Sequence, residues 1–498
     1  MAEMKNLAKQ TAIYGVSSIL GRFLNWCLAP MYTYVLADQA EYGIYTNIYA
    51  WVALLLVILT YGMETGLFRF MNKSDENPKD VYSSILCCVG GTSLLFSLLI
   101  VCLSGNVSAF LNYGNHADYV AIMGVIVAVD AFCCIPMAYL RHQNRSTKFA
   151  IVNLVLIAVN IFFNIFFLIV CPWLHNVAPQ LISWFYSPDY SVGYVFVANL
   201  FSTFAKLVML LPEIRQANLH VDNAVLKRVL KYSLPLLVLG VAGIMNQTLD
   251  KILFPYLYSM GGHTVEDAHS QLGIYGACFK VAMVMMMFTQ AFRYAYEPFI
   301  FAQNKNGDER KKAADATKFF FIFSLLIFLG MVFYLDVLKL VIHNSYWEGL
   351  KVVPVILLSY LFQGLYFNLS MWYKLSDKTY FGAILSLIGL VITIVINVFF
   401  VPQYGYMASS MASFVCFLTI MVISYLLGQK FYPVPYDLKS VALYFCVAMA
   451  MFAVSRFSPL TGVAMYVQNT LLLIVYLALL FKRDLPLRSV PVIGRLVR

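Results

Sequence analysis

Fourteen long apolar stretches constrain this chain of 498 residues more than any other feature of its sequence. Each stretch holds the roughly 20 apolar residues that a helix needs to cross the hydrocarbon core of a bilayer. The sequence therefore predicts an all-α polytopic membrane protein. The predicted helices, numbered 1 to 14, lie at about 11–35, 44–67, 81–103, 117–140, 149–171, 191–214, 232–258, 271–299, 318–341, 351–373, 380–401, 404–428, 439–456 and 462–481.

Basic residues occur in alternate gaps between these stretches, which indicates how the chain threads the membrane. The gaps on the other side hold only Arg456, with Lys351 at one edge. Because loops rich in Lys and Arg stay in the cytoplasm, both termini are predicted to be cytoplasmic. Of 34 Lys and Arg residues, 26 lie in the N-terminus, the alternate gaps or the tail: Lys5, Lys9, Arg69, Lys73, Lys79, Arg141, Arg145, Lys148, Arg215, Lys227, Arg228, Lys231, Lys305, Arg310, Lys311, Lys312, Lys318, Lys374, Lys378, Lys430, Lys439, Lys482, Arg483, Arg488, Arg495 and Arg498.

The composition excludes several classes of function. The chain is 61% hydrophobic and only 12% charged, and topology accounts for its net charge of +10, so the charge does not argue for nucleic-acid binding. The seven histidines show no H-E-x-x-H or similar ligand spacing, and no phosphate-binding loop of the G-x-x-x-x-G-K-[ST] type occurs. We therefore expect no metal, no other cofactor and no ATP hydrolysis by the chain itself.

The two halves of the chain resemble each other at an offset of 225 to 233 residues. Residues 30–34 (PMYTY) match 255–258 (PYLY), 41–45 (EYGIY) match 271–275 (QLGIY), and 164–167 (NIFF) match 397–400 (NVFF). A repeat of six helices keeps both halves in the same orientation, related by an axis along the membrane normal. The predicted domains are an N-lobe at 1–220 (helices 1–6), a C-lobe at 221–430 (helices 7–12), and helices 13 and 14 with a basic tail at 431–498.

Ionisable residues deep in a membrane helix are costly and usually face a cavity or a partner. Arg22, about halfway along helix 1, is interpreted as a cationic contact for an anionic substrate, as the partner of Glu64 or Asp130 in an internal ion pair, or as both. Asp250 pairs either with Lys251 or with a residue of helix 8, and the 100° between neighbouring helix residues argues against Lys251.

Other ionisable residues lie nearer the helix ends. Arg293 and Glu297 are four residues apart and share a helix face, which suits a structural pair or a gate near the cytoplasmic end. Arg69, at the end of helix 2, is a further candidate for that gate. Lys280 lies inside helix 8 and is a candidate for the substrate site, whereas Lys206 in helix 6 either lines the cleft or extends toward the interface.

Several motifs together resemble one family of membrane proteins, the polysaccharide-transporter branch of the multidrug/oligosaccharidyl-lipid/polysaccharide (MOP) flippase superfamily, which includes the O-antigen flippases. The resemblance rests on residues 14–23 (YGVSSILGRF), 62–70 (GMETGLFRF), 231–236 (KYSLPL) with the following Asp250-Lys251, and the stretch from 273–275 (GIY) to 297–299 (EPF). It covers helices 1–12 and implies a MATE-like fold of two parallel six-helix lobes.

The resemblance also implies a function. Members of this branch move an undecaprenyl-pyrophosphate-linked oligosaccharide from the inner to the outer leaflet of the bacterial inner membrane, for O-antigen, capsule or exopolysaccharide synthesis. Arg22, Lys251 and Lys280 would then be cleft cations that neutralise the pyrophosphate. The bilayer and a glycan polymerase or glycosyltransferases would be the partners.

Two alternatives stay open. A cation-coupled drug or metabolite exporter of the same superfamily would use Glu64, Asp130 or Asp250 as its proton or sodium site. A membrane enzyme, such as an O-antigen polymerase or a glycosyltransferase, typically needs a sizeable outside loop with charged catalytic residues. The short outside loops here, almost free of Lys and Arg, argue against an enzyme.

Overall fold

The computed structural model describes residues 20–21, 23–36, 38–72, 77–114, 116–218, 221–303, 309–376 and 378–485, without the side chains of 295, 297–299, 301–303 and 309. Arg22 lies outside these residues. The described part of the chain is built of helices and turns, with no strand. Thirteen of its helices are long and apolar enough to span a membrane.

These helices follow the predicted order, and we number them so that α2 to α14 correspond to predicted helices 2 to 14. The first short helix, α1, is the end of predicted helix 1, of which residues 11–19 and Arg22 lie outside the described residues. The bounds are α1 Leu28–Val35, α2 Gln39–Met71, α3 Pro78–Cys102, α4 Ala117–His142, α5 Ser146–Val177, α6 Gly193–Ile214, α7 Asn223–Met260, α8 Val265–Gln303, α9 Glu309–Phe333, α10 Asn344–Leu375, α11 Tyr380–Tyr404, α12 Tyr406–Phe431, α13 Leu438–Phe457 and α14 Val463–Arg483.

Side-chain caps fix where several of these helices begin. The carboxylate of Asp38 accepts a hydrogen bond from the backbone N–H of Ala40 at the start of α2. The Asp222 carboxylate accepts two such bonds at the start of α7. These caps satisfy backbone donors that the first turn of a helix leaves without an intrahelical partner.

Three of the long helices in the described residues depart from regular α geometry, and one of them, α10, begins with the 3-10 segment Asn344–Val352. In α2 the backbone turns at Tyr61 and Gly62, which have φ values of 30° and 73°. A glycine suits the second position because it adopts positive φ without a steric penalty. In α5 the segment Phe166–Val170 forms a wider π-helical turn, a feature often found at functional sites.

The chain packs as two compact units that cut across the order of the helices. The first comprises 1–277 and 382–416, and the second comprises 278–381 and 417–498. In the first unit α4 packs against α3 and α6, α5 against α6, and α2 against α7; in the second unit α9 packs against α10 and α13. The predicted lobes are defined differently, as groups of helices that would move together during transport. Their boundaries stay a prediction.

Two repeat-related asparagines share one local contact inside the first unit. Asn164 in α5 donates its side-chain N–H to the Asn160 carbonyl at 2.8 Å and accepts the Tyr32 hydroxyl at 3.0 Å. Its counterpart Asn397 in α11 donates to the carbonyl four residues earlier at 2.8 Å and accepts the Ser409 hydroxyl at 2.8 Å. The hydroxyl donors lie on α1 and α12, which are not counterparts in the predicted repeat, so the repeat of the lobes stays a prediction.

A pair of repeat-related glycines joins α2 to α8. A Cβ atom on Gly43 would lie 2.6 Å from the carbonyl carbon of His269, and one on Gly273 would lie 3.0 Å from the carbonyl carbon of Gln39. The contact is reciprocal, since 43 and 273 are equivalent positions and so are 39 and 269. Only glycine allows the two backbones to approach so closely. We call this contact the glycine seam.

Candidate functional site

The most deeply buried ion pair of the first unit lies on α7. Lys251 Nζ is 2.9 Å and 3.1 Å from the two carboxylate oxygens of Asp250, and both residues are buried. The Tyr275 hydroxyl on α8 donates to the same carboxylate at 2.7 Å. Both partners that the sequence left open for Asp250 are therefore present, Lys251 and a residue of α8. The 100° argument against Lys251 failed, because the flexible four-carbon stem of lysine lets its ammonium group reach back.

The backbone around this pair is tied to α2. Asn47 donates its side-chain N–H to the Lys251 carbonyl at 2.6 Å, and the Tyr113 hydroxyl donates to the Asn47 side-chain oxygen. Asn47 and Tyr113 are both buried. Neither residue was predicted as a site residue from the sequence. An amide side chain within an otherwise apolar helix is a sequence feature that could have pointed to Asn47.

A second ion pair lies midway along α4 and α6. Lys206 Nζ is 2.8 Å from a carboxylate oxygen of Asp130, and Thr203 donates to the same oxygen at 3.5 Å. The sequence left open whether Lys206 lines the cleft or extends to the interface. In the structure its charge is matched by Asp130 within the first unit.

A third pair lies nearer the basic ends of the helices, where the Lys- and Arg-rich gaps begin. The guanidinium of Arg141 at the end of α4 donates to the Glu64 carboxylate, and the Cys134 thiol donates to that carboxylate at 3.0 Å. Both members of the pair are about one-third exposed. Arg141 was predicted only as a loop charge, and its pairing with Glu64 was missed.

A fourth cluster surrounds Glu213 at the end of α6. Its side chain is fully buried, with the Lys148 ammonium at 2.5 Å and the Arg145 guanidinium at 3.7 Å. Glu213 was not among the predicted site residues, although an acid in the last turn of an otherwise apolar helix next to a basic gap was a usable signal. All four clusters place a carboxylate beside at least one cation, the arrangement that a buried charge requires.

The remaining predicted site residues fall into different surroundings. Arg69 stacks over the Tyr232 ring at 4.2 Å, and Arg293 stacks over the Phe367 ring at 4.8 Å. Lys280 is half-buried on α8. Arg22 and the side chain of Glu297 lie outside what the structure describes, so the predicted pairing of Arg293 with Glu297 stays a prediction.

The ion pairs bear on the two interpretations of Arg22. Glu64 and Asp130 were its predicted carboxylate partners, and each has another cation beside it. The charges of these two carboxylates are therefore already balanced without Arg22.

Within the described residues no group of three or more potential metal ligands occurs.

Several solved structures share this architecture. A structure described as lipid II flippase MurJ, in an inward closed conformation, has a TM-score of 0.70 at 12% identity and covers 95% of this chain and 99% of its own. A multidrug resistance MATE family transporter of the MOP superfamily, inward-facing, has a TM-score of 0.63 at 10% identity, with 86% and 96% covered. The same kind of transporter in an outward-facing conformation has a TM-score of 0.57 at 11% identity, with 85% and 95% covered. At these identities the similarity shows the fold alone.

Comparison at the level of sequence gives the family. A search of curated proteins finds no match. The MatE family matches residues 262–399. The family described as polysaccharide biosynthesis protein matches residues 7–302, more than half of the chain. The resemblance drawn from helices 1, 2, 7 and 8 is thereby confirmed, and the chain belongs to the polysaccharide biosynthesis protein family of the MOP flippase superfamily.

Proposed function

We propose that this protein flips a lipid-linked oligosaccharide across the bacterial inner membrane by alternating access. The substrate is an undecaprenyl-pyrophosphate-linked repeat unit, which serves O-antigen, capsule or exopolysaccharide synthesis. Support comes from the polysaccharide biosynthesis family and from the fold shared with a protein described as a lipid II flippase. In this proposal the protein is a transporter and not an enzyme.

The observation that carries the proposal is the pairing of three carboxylates in the first unit. Arg141 neutralises Glu64, Lys206 neutralises Asp130 and Lys251 neutralises Asp250. Arg22 is therefore proposed to meet an anion from outside the protein, and a pyrophosphate head group supplies one. Lys280, half-buried on α8, is proposed as a second cation for the same group, and Lys251 contributes only if its pair with Asp250 opens.

The same pairing weighs against the cation-coupled exporter. A carboxylate that exchanges a proton or a sodium ion has to separate from its cationic partner in every cycle. Glu64, Asp130 and Asp250 each have such a partner, and the Asp250 carboxylate also accepts the Tyr275 hydroxyl. A cationic drug would in addition meet the unfavourable charge of Arg22.

Movement is proposed to occur between the predicted lobes, 1–220 and 221–430. The glycine seam joins α2 of one lobe to α8 of the other at the ends opposite the basic gaps. These ends face the outside if both termini are cytoplasmic, as we propose. The seam would then close the outer side while the head group enters from the cytoplasm, and it would open for release. Arg69, Arg293 and Glu297 are proposed to act as the gate on the cytoplasmic side.

The decisive experiment depletes the protein in cells that express the cognate pathway. Polyprenyl-pyrophosphate lipids are extracted, and their oligosaccharide-linked forms are measured by mass spectrometry. We expect a complete repeat unit to accumulate, and wild type and Arg22→Lys, which keeps the charge, to reverse this accumulation. Arg22→Ala should fail to reverse it, whereas Arg456→Ala, which removes an exposed arginine at the end of α13, should behave as wild type.

One result would overturn the proposed function, and another would overturn the proposed role of Arg22. An unchanged pool of lipid-linked oligosaccharide after depletion, together with raised sensitivity to cationic drugs, would indicate the exporter instead. Full activity of Arg22→Ala would remove Arg22 from the substrate site. Alkaline phosphatase and fluorescent-protein fusions at the C-terminus test the proposed cytoplasmic location, and cross-linking in cells tests the proposed contact with a polymerase or glycosyltransferase.

A further inference from the structure

An aromatic cavity of about 980 Å³ lies in the first unit, apart from the four ion pairs. It is formed by the end of α5, the connection to α6 and the start of α6, on the side opposite the basic gaps. Its volume is at the upper end of the range typical of small-molecule sites. The lining includes eight Phe, Tyr and Trp side chains, among them Phe166, Phe167, Trp184, Phe185, Tyr190 and Tyr194.

The walls of this aromatic cavity are held in place by specific contacts. The π-helical turn of α5 contains Phe166 and Phe167, and Phe167 stacks on Tyr194 with ring centroids 5.1 Å apart. The Tyr194 hydroxyl accepts the Ser187 backbone N–H at 2.7 Å, and the Tyr190 hydroxyl donates to the Asp118 carboxylate. These three rings, Phe167, Tyr190 and Tyr194, are therefore held in place before any ligand enters, which lowers the entropic cost of binding.

Polar groups are interspersed among these rings. His116, Ser183, Ser187 and Asp189 also line the aromatic cavity. A second cavity of about 270 Å³ in the same unit differs in this respect, because its lining has no carboxylate, imidazole or aliphatic hydroxyl. The smaller cavity suits a hydrocarbon chain, whereas the aromatic cavity offers both stacking faces and hydrogen-bond partners.

We propose that the aromatic cavity binds a sugar ring of the glycan that the protein transports, an inference that rests on the proposed function. A pyranose ring presents a face of C–H groups, which the negative face of an aromatic ring attracts, and an edge of hydroxyl groups. Asp189 and His116 are placed to accept or donate hydrogen bonds at that edge. The site would hold the glycan on the outer side after the head group has crossed.

The chain offers a matched pair of tryptophans for the test. Trp184 lines the aromatic cavity and is 82% exposed, so its removal should not disturb the packing. Trp173, on the nearby end of α5, is 63% exposed and does not line the cavity. Trp184→Ala and Trp173→Ala therefore make the same chemical change, and only the first removes a stacking face. Asp189→Asn tests the hydrogen-bonding edge separately.

Binding is measured by ligand-observed NMR on the full-length protein in nanodiscs. The probe is the glycan released by mild acid from the lipid-linked oligosaccharides of wild-type cells. We expect Trp184→Ala to raise the Kd of this glycan roughly 2- to 12-fold, the effect of losing one aromatic contact. Asp189→Asn should also raise the Kd, and Trp173→Ala should leave it unchanged.

Equal affinity in all variants, or no binding of the glycan to wild type, would overturn the inference. Binding of undecaprenyl phosphate that depends on Trp184, without binding of the glycan, would assign the cavity to the lipid chain and also overturn it. The depletion experiment is independent of this assay. Accumulation of lipid-linked glycan in depleted cells together with absent glycan binding would leave the flippase function standing and reject only the cavity.

Discussion

Replacing Gly43 by Ala tests the glycine seam most directly. The added Cβ would lie 2.6 Å from the carbonyl carbon of His269, which is 0.8 Å short of the 3.4 Å at which ordinary contact begins. The obstacle is backbone, so no side chain can rotate away, and α2 and α8 have to separate. Overpacking of this kind typically costs about 1–3 kcal/mol, and the rigid obstacle favours the upper end.

A cost near 3 kcal/mol changes an equilibrium by roughly a hundredfold, since about 1.4 kcal/mol corresponds to a factor of ten. If the seam forms only when the outer side is closed, Gly43→Ala should depopulate that state by this factor. We expect a lower apparent melting temperature of the purified protein in nanodiscs. We also expect lipid-linked oligosaccharide to accumulate in cells that carry only this variant.

Gly91→Ala is the matched control, because Gly91 also lies in a transmembrane helix and a Cβ there would meet nothing within 4 Å. Both substitutions gain the same helix propensity, so their difference isolates the contact. Gly273→Ala should act like Gly43→Ala, and the double variant should cost less than the sum because one separation relieves both clashes. Equal melting temperatures and equal export for Gly43→Ala and Gly91→Ala would refute the close approach.

Three further predictions concern charges in the described residues. Lys148→Ala leaves the fully buried Glu213 carboxylate with the more distant Arg145 guanidinium. We expect the free energy of unfolding to fall by roughly 2 kcal/mol, and a second substitution, Glu213→Gln, to restore part of it. If the double variant is no more stable than Lys148→Ala, the pairing is contradicted. Asp250→Asn removes the counter-ion of a buried lysine and should lower the melting temperature more than Asp336→Asn at an exposed pair does; equal effects would contradict the burial. Hydrogen bonds from Ser440 lower the pKa of the Asp437 carboxyl at the start of α13. The ionised Asp437 carboxylate therefore stabilises the folded protein at neutral pH, and this contribution is lost as the pH falls through the lowered pKa. Asp437→Ala should therefore cost about 1 kcal/mol at pH 7 and progressively less in acid, and a constant difference between pH 7 and pH 3 would contradict this cause.

The positions of the helices could be predicted from the sequence because transfer into a bilayer depends on local composition. Predicted helices 2 to 14 correspond to the thirteen candidate spans of the described residues. The repeat could be predicted because its matching residues form short continuous segments, such as 164–167 and 397–400. The family could also be recognised from the sequence, because its motifs lie in continuous segments of the chain.

The partners of the buried charges were decided by tertiary structure alone. Glu64 and Arg141 are 77 residues apart, and Asp130 and Lys206 are 76 apart. Helix periodicity specifies which face a residue occupies, but not which neighbouring helix that face meets. For the adjacent Asp250 and Lys251 the periodicity argument was misleading, because it follows the Cβ direction and ignores the reach of the lysine side chain.

The two cavities and the glycine seam likewise depend on tertiary structure. Nothing in the sequence separates Phe166, Trp184 or Tyr190 from the many aromatic residues expected at a membrane interface. A cavity forms only where a π-helical turn and a loop bring distant rings together. The sequence by itself determined where the long apolar helices of the described residues lie and which gaps between them are basic, since both are properties of local composition. The choice of which charges neutralise each other, and of which aromatic rings surround an open space, belongs to the packing of helices far apart in the chain.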